Sequence, residues 1–302
     1  MGGIIVDPSE ELSPTIRIAP FSNKFLYRSL SSYKQLSECE SFLKKRFGTY
    51  YVFNKARSCI DACLRYYNVK EDDVVTILTT SGNYYVSSCI TKTIEKYCKF
   101  SREIEPKTRI LFVNHEFGYP ITNWEEIISY GLPIIEDCAY TLLTEDTNIG
   151  KYSDFVIYSL PKLYPMQMGA ILQTKVVLEE EMSSDDTEYV IEQLSHECHK
   201  TPQIIERRLN NYHYLENKLS GISIRPFFEL RDGIVPGVFL FSWREDIDYQ
   251  DLKIFMQRNG VECSVFYGEN AFFIPLHQEL TECELNYMCD LLHFYYYNYY
   301  EV

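Results

Sequence analysis

Short apolar runs alternate with amphipathic stretches through the first half of the chain. Asp73–Thr80 (DVVTILTT), Thr108–His115 (TRILFVNH), Leu132–Cys138 (LPIIEDC), Asp154–Leu160 (DFVIYSL) and Gly169–Thr174 (GAILQT) are apolar almost throughout. That is the pattern of strands buried on both faces rather than on one. Between them, Ser87–Cys98 and Asn123–Gly131 carry apolar residues at helical spacing, as do Ser32–Phe47 and Lys55–Asn68 upstream. Apolar strands separated by amphipathic helices predict a mostly parallel sheet covered by helices. After Thr174 the pattern changes. Leu178–Gly221 is acidic and then helical, without a strand. Strand patterns return at Ile222–Phe227, Gly237–Trp243 and Val261–Tyr267, around a helical Tyr249–Gly260.

These shifts predict a domain plan. Residues 1–30 form a polar N-terminal arm, 31–180 a large α/β domain, 181–220 a helical connection and 221–302 a smaller C-terminal α/β domain. The tail His293–Val302 (HFYYYNYYEV) is unusually aromatic and reads as core or subunit contact.

Composition narrows the function classes. With 302 residues, 46% hydrophobic and 15% aromatic, the chain can bury a large core. A formal net charge of −14 argues against nucleic acid as a partner, because phosphate backbones need a basic face. It leaves room for a small anion in a local basic pocket. The ten cysteines are scattered and lack paired zinc-ligand spacing, so reduced buried thiols are expected and no metal. The start, MGGIIVDPSE, lacks a signal-peptide pattern, and Val6 stands where myristoylation needs Ser or Thr. No stretch is apolar enough to span a membrane, so a cytoplasmic protein is expected.

In open α/β sheets ligands sit beyond the carboxyl ends of the strands. Here those ends offer Ser81, Asn83, Tyr84 and Tyr85, then Asn114 and His115, then Asp137 and Tyr140, and finally Ser159 and Lys162. A lysine, an acid, a hydroxyl and a flat aromatic are the parts a pyridoxal phosphate site needs. Taken singly, each has a plainer reading: a helix-capping Asp, a solvated Lys, a turn Ser. The motif NIGKYS lacks the upstream glycine and the Ser or Thr of a nucleotide-binding loop and is set aside.

Order and spacing add a resemblance. The segment IIEDCAYTLL…NIGKYSDFVIYSLPKLYPMQMGAIL resembles the core of the DegT/DnrJ/EryC1/StrS sugar aminotransferases, which are fold-type I PLP-dependent enzymes. NVKEDDVVTILTTSGNYYVSS, FVNHEFGYP and NGVECSVFYGENAFFIPLH are similar to other family segments in the same order, from about Gly48 to His277. The resemblance implies the fold-type I PLP-dependent transferase fold, pyridoxal 5'-phosphate as cofactor, an amino-acid donor, a keto or sugar-nucleotide acceptor and a homodimer. It makes Lys162 the Schiff-base lysine and Asp137 the partner of the pyridine nitrogen. Ser159 would bind phosphate and Tyr85 would stack on the ring.

The chain also departs from the family, as a short and divergent member would. Only Leu160 and Pro161 separate Ser159 from Lys162, where the family usually has a longer gap. Tyr140 replaces the usual Gln or His beside the cofactor. KARSC replaces the Ser-Gly-Thr at the first helix, with Arg57 and Ser58 as substitute anion ligands. The Gly-rich run after the lysine is reduced to QMGA. The implied activity is amino transfer. The alternative is a protein that keeps the fold but binds a ligand or another protein without chemistry. Dehydratases of the family carry His in place of the lysine, so Lys162 disfavours that reaction.

Overall fold

The computed structural model describes residues 15–22, 24–25, 36–178, 184–243 and 247–299. Most of the expected arm, 1–30, therefore lies outside the described residues. The chain divides into two compact units, one of residues 20–205 and 231–237, the other of residues 1–19, 206–230 and 238–302.

The larger unit is built on a seven-stranded sheet. Its strands are β1 (Tyr50–Phe53), β2 (Val74–Thr79), β3 (Lys99–Ser101), β4 (Thr108–Asn114), β5 (Ile134–Asp137), β6 (Phe155–Ser159) and β7 (Ala170–Thr174), in the order β1-β7-β6-β5-β4-β2-β3. Strands β3, β2, β4, β5 and β6 run parallel, and β7 is antiparallel to both its neighbours. The mixed α/β fold with a mostly parallel sheet is the one expected. All four residues of β5 are buried, which matches its apolar sequence and its place at mid-sheet. The short edge strand β3 and the four-residue β1 carry too little pattern to read from sequence.

Helices α1 (Leu36–Phe47), α2 (Ala56–Tyr66), α3 (Ser88–Ile94), α4 (Trp124–Ser129) and α5 (Ser184–Ser195) belong to this unit. In α2 the residues Cys59, Ile60, Cys63 and Leu64 repeat at helical spacing and are all buried. The helix stops because Asn68 adopts φ 47°, the left-handed conformation that ends many helices. Helix α3 is shorter than its sequence pattern. It begins at Ser87, whose side chain accepts from the Cys89 amide, and gives way to turns after Ile94.

In the smaller unit β8 (Ile224–Pro226), β9 (Val238–Trp243), β10 (Ser264–Val265) and β11 (Phe272–Pro275) form an antiparallel sheet in the order β10-β11-β9-β8. Most of α6 (Thr201–Leu219) belongs here, with α7 (Tyr249–Arg258) and α8 (Glu282–Tyr299). The core includes Phe239, Phe241 and Phe272 from the sheet and Leu285, Met288, Leu292 and Tyr295 from α8. The tyrosine-rich tail is thus mostly helix. It buries Tyr295 and leaves Phe294 and Tyr297 exposed.

Candidate active site

The carboxyl ends of β4, β5 and β6 lie side by side, and each delivers one polar group. Asn114 and Asp137 are register partners across β4 and β5, so their side chains share a face. Asn114 Nδ2 donates to Asp137 Oδ2 at 2.9 Å, and the Ala139 amide donates to Oδ1 at 3.0 Å. Asp137 is only 6% exposed. Burial raises its pKa above the ordinary carboxylate value, opposed chiefly by these two donors. A buried carboxyl with two neutral donors has room for a cationic N–H partner.

Lys162 ends a single 3₁₀ turn, Leu160–Lys162, that starts directly after β6. Pro161 suits its first turn, because its φ is preset and its missing N–H is not needed there. The turn is closed by Leu163 and Tyr164 amides, both donating to the Leu160 carbonyl at 3.0 and 2.8 Å. Leu160, Leu163 and Tyr164 are buried, so Lys162 projects from a turn whose flanks are fixed in the core. Gly169, at φ +128°, lets β7 begin against this turn; a Cβ there would meet Leu160 and Val190, each at 3.0 Å. The turn that carries Lys162 is thus locked from both sides.

Lys162 Nζ lies 4.9 Å above the centre of the Tyr140 ring. The ring is held in place by Phe117, 5.8 Å away, and by Gly237, where a Cβ would overlap it. The Gly237 amide donates to the Phe117 carbonyl at 2.7 Å. Thr144 ties the same corner: its hydroxyl donates to Gly118 O at 2.8 Å and accepts from the Val235 amide at 3.0 Å.

Lys162, Asp137 and Tyr140 are thus brought together, and Ser159, half-buried at the end of β6, begins the lysine turn. The other expected ligands have partners of their own. At the start of α2, the exposed Arg57 donates to Cys89 Sγ at 2.9 Å, and Ser58 Oγ donates to Asn54 Oδ1 at 3.3 Å. Tyr85 is half-buried in the loop after β2, with its amide donating to Asn83 Oδ1 at 3.3 Å. The sequence places Asn114 at a strand end without giving it a role, and it does not single out Gly237. The register of β4 against β5 would have identified the first, since it pairs Asn114 with Asp137 directly.

His115, Glu136 and Cys138 bring donor atoms within 4.8 Å of one another on the opposite side of β5. They are already committed. His115 Nδ1 accepts from the Ile121 amide at 3.0 Å, which fixes the neutral tautomer, so Nε2 donates to Glu136 Oε2 at 2.9 Å. Glu136 Oε1 accepts from the Gly150 amide and the Ser153 hydroxyl at 2.9 and 2.5 Å. Burial raises the Cys138 thiol well above its ordinary value, the wrong direction for a thiolate ligand.

With this geometry in hand, comparison with known proteins places the fold. A family model described as "Putative PLP-dependent aminotransferase" matches residues 45–189. Among solved structures, the aminotransferase TlmJ from Streptoalloteichus hindustanus is similar with TM-score 0.69 and 13% identity, over 86% of this chain and 90% of that one. A DegT DnrJ EryC1 StrS aminotransferase from Brucella abortus gives 0.68 and 12%, over 89% and 93%. The sugar aminotransferase CalS13 from Micromonospora echinospora gives 0.64 and 15%, over 93% and 99%. A comparison with curated protein sequences finds no match. The fold is that of the PLP-dependent aminotransferases, which is the fold the resemblance read from the sequence implies. Little of either chain falls outside these alignments. Among the described residues no helix is long and apolar enough to cross a membrane.

Proposed function

We propose that the protein is a PLP-dependent aminotransferase that moves an amino group from an amino-acid donor to a keto acceptor. The observation that carries this reading is the convergence of Lys162 and Asp137 at adjacent strand ends, over a rigidly seated Tyr140. The residues fit the cofactor chemically. Lys162 has the primary amine that forms a covalent link to an aldehyde, and Asp137 is a buried carboxyl able to hold a proton on a ring nitrogen. When bound, pyridoxal phosphate supplies an electron sink to the carbon being deprotonated.

The chain's own residues do the rest. Lys162 Nζ would hold the cofactor covalently and, when free, would take the proton from the donor Cα. Asp137, a buried carboxyl held by two neutral donors, would favour the protonated ring nitrogen. Tyr140 limits where Nζ can sit, and the locked turn keeps the travel of the lysine short. Ser159, with Arg57 and Ser58 at the start of α2, suits the phosphate, and Arg57 would leave Cys89 to do so. Tyr85 is assigned to the ring face. The likeness to a sugar aminotransferase supports a sugar-linked ketone as the acceptor. The active form is taken to be a homodimer in the cytoplasm.

The test is an absorption spectrum of the purified protein incubated with PLP, beside Lys162→Ala. A band at the visible edge in wild type alone, fixed by borohydride onto Lys162, supports the assignment. Loss of that band on adding glutamate, with release of the keto acid, supports amino transfer. A colourless wild type would point instead to a binding protein on the same fold.

A further inference from the structure

The loop Thr80–Tyr85, which leaves β2 at the candidate site, contains no regular structure and one glycine at φ +75°. It is nevertheless tied at almost every residue, and the ties converge on two residues with no assigned role. Glu116 is 4% exposed. Its Oε2 accepts from the Ser81 amide at 2.7 Å, and its own amide donates to Thr80 Oγ1 at 3.0 Å. Arg102 follows β3, and its Nη2 donates to the Asn83 carbonyl at 2.9 Å, beside the Thr79 hydroxyl at 2.7 Å on the same oxygen. Asn83 is buried, and its Oδ1 receives the Tyr85 amide. The guanidinium also lies 5.7 Å from the centre of the Tyr84 ring.

Local backbone strain supports a purpose for this arrangement. Phe117, next to Glu116, adopts φ +51°, a left-handed conformation rare for a bulky residue. Hydrogen bonds on either side hold it there: Tyr119 N to Glu116 O at 2.9 Å and Gly237 N to Phe117 O at 2.7 Å. Burial weakens the hold of Arg102 on its proton, and the Glu116 charge opposes that loss. Both side chains grip the same loop, Glu116 at the Ser81 amide and Arg102 at the Asn83 carbonyl.

We infer that Glu116 and Arg102 are positioning residues: by gripping Ser81 and Asn83 they set the place of Tyr85 over the cofactor ring. This inference rests on the function proposed above. It predicts that Glu116 influences the cofactor only through Tyr85.

The test is a double-mutant cycle read by PLP affinity. In the wild-type background Glu116→Ala should weaken PLP binding about ten-fold, while in the Tyr85→Ala background it should change it less than about two-fold. Glu116→Gln keeps an acceptor for the Ser81 amide but loses the charge facing Arg102. It should fall between wild type and Glu116→Ala, and it carries the cycle if the alanine variant does not fold. Amide exchange of Ser81–Tyr85 in the cofactor-free protein should rise in both variants. Equal losses in both backgrounds would overturn the inference, because Glu116 would then act through general stability. A wild type that takes up no PLP shows itself before any variant is compared. That result removes the proposed function, and the inference with it.

Discussion

Glu136 and Asp137 are consecutive residues at the end of β5, both buried, and the two faces of the strand treat them differently. Glu136 receives three donors, and one of them, His115, is locked in its tautomer by a backbone amide. Asp137 receives two, one from a side-chain amide that can turn over. The first carboxylate is finished and the second is not. Saturation of this kind marks a structural group, whereas a buried acid left short of partners marks a place where something else is meant to bind.

Substitutions can break this comparison at several points. The largest effect belongs to Lys162→Ala, which should cut amino transfer by roughly four orders of magnitude, measured as keto-acid release from the donor. Next comes Gly237→Ala, whose methyl group overlaps the Tyr140 ring. It should cost about 1–3 kcal/mol in urea unfolding, and it should displace the ring beneath Lys162.

Glu136→Gln should destabilise by about 1–3 kcal/mol, because its amide would face a donor on one side or the other. The His115 ring cannot relieve the clash by changing tautomer while the Ile121 amide points at Nδ1. Asp137→Asn should behave in the opposite sense in the cofactor-free protein. Asn114 can turn its amide to match the new side chain, and the buried charge is gone.

The pH dependence has a definite sign. Folding raises the pKa of Asp137, so the native state binds this proton more tightly than the unfolded chain. Its contribution is fully present below the ordinary carboxylate pKa and is lost as pH rises through the raised value. Cofactor-free wild type should therefore lose stability across that window, and Asp137→Asn should lose less. Thermal midpoints of both proteins from pH 4 to 8 check this, the smallest of these effects.

Much of this was legible in the chain itself. The apolar runs at 73–80, 108–115, 132–138, 154–160 and 169–174 correspond to β2, β4, β5, β6 and β7, because buried parallel strands leave an unbroken apolar signature. The pair Asp137 and Lys162 could be located because strand ends are where this architecture gathers polar groups. What stayed hidden depended on register and return of the chain. Asn114 acquires its meaning only once β4 is aligned with β5. Gly237 lies far along the sequence from Tyr140, and nothing local says that the two pack together. Helix α8 escaped because its aromatic residues lie on both buried and exposed positions, which blurs the helical period. The edge strand β3 is too short to carry a pattern, and the strand read at Val261–Tyr267 shrinks to the two-residue β10.

The most direct test of the contrast between the two acids is the thermal shift that PLP produces in wild type, Asp137→Asn and Glu136→Gln at pH 7. Binding to the native state alone raises the midpoint, by more the tighter the ligand is held, with the logarithm of affinity. The account predicts a clear rise for wild type, and one as large for Glu136→Gln from its lower starting point. For Asp137→Asn it predicts a much smaller rise from a higher one. A full-sized shift in Asp137→Asn would contradict it, since the unfinished carboxylate would then have no part in holding the cofactor.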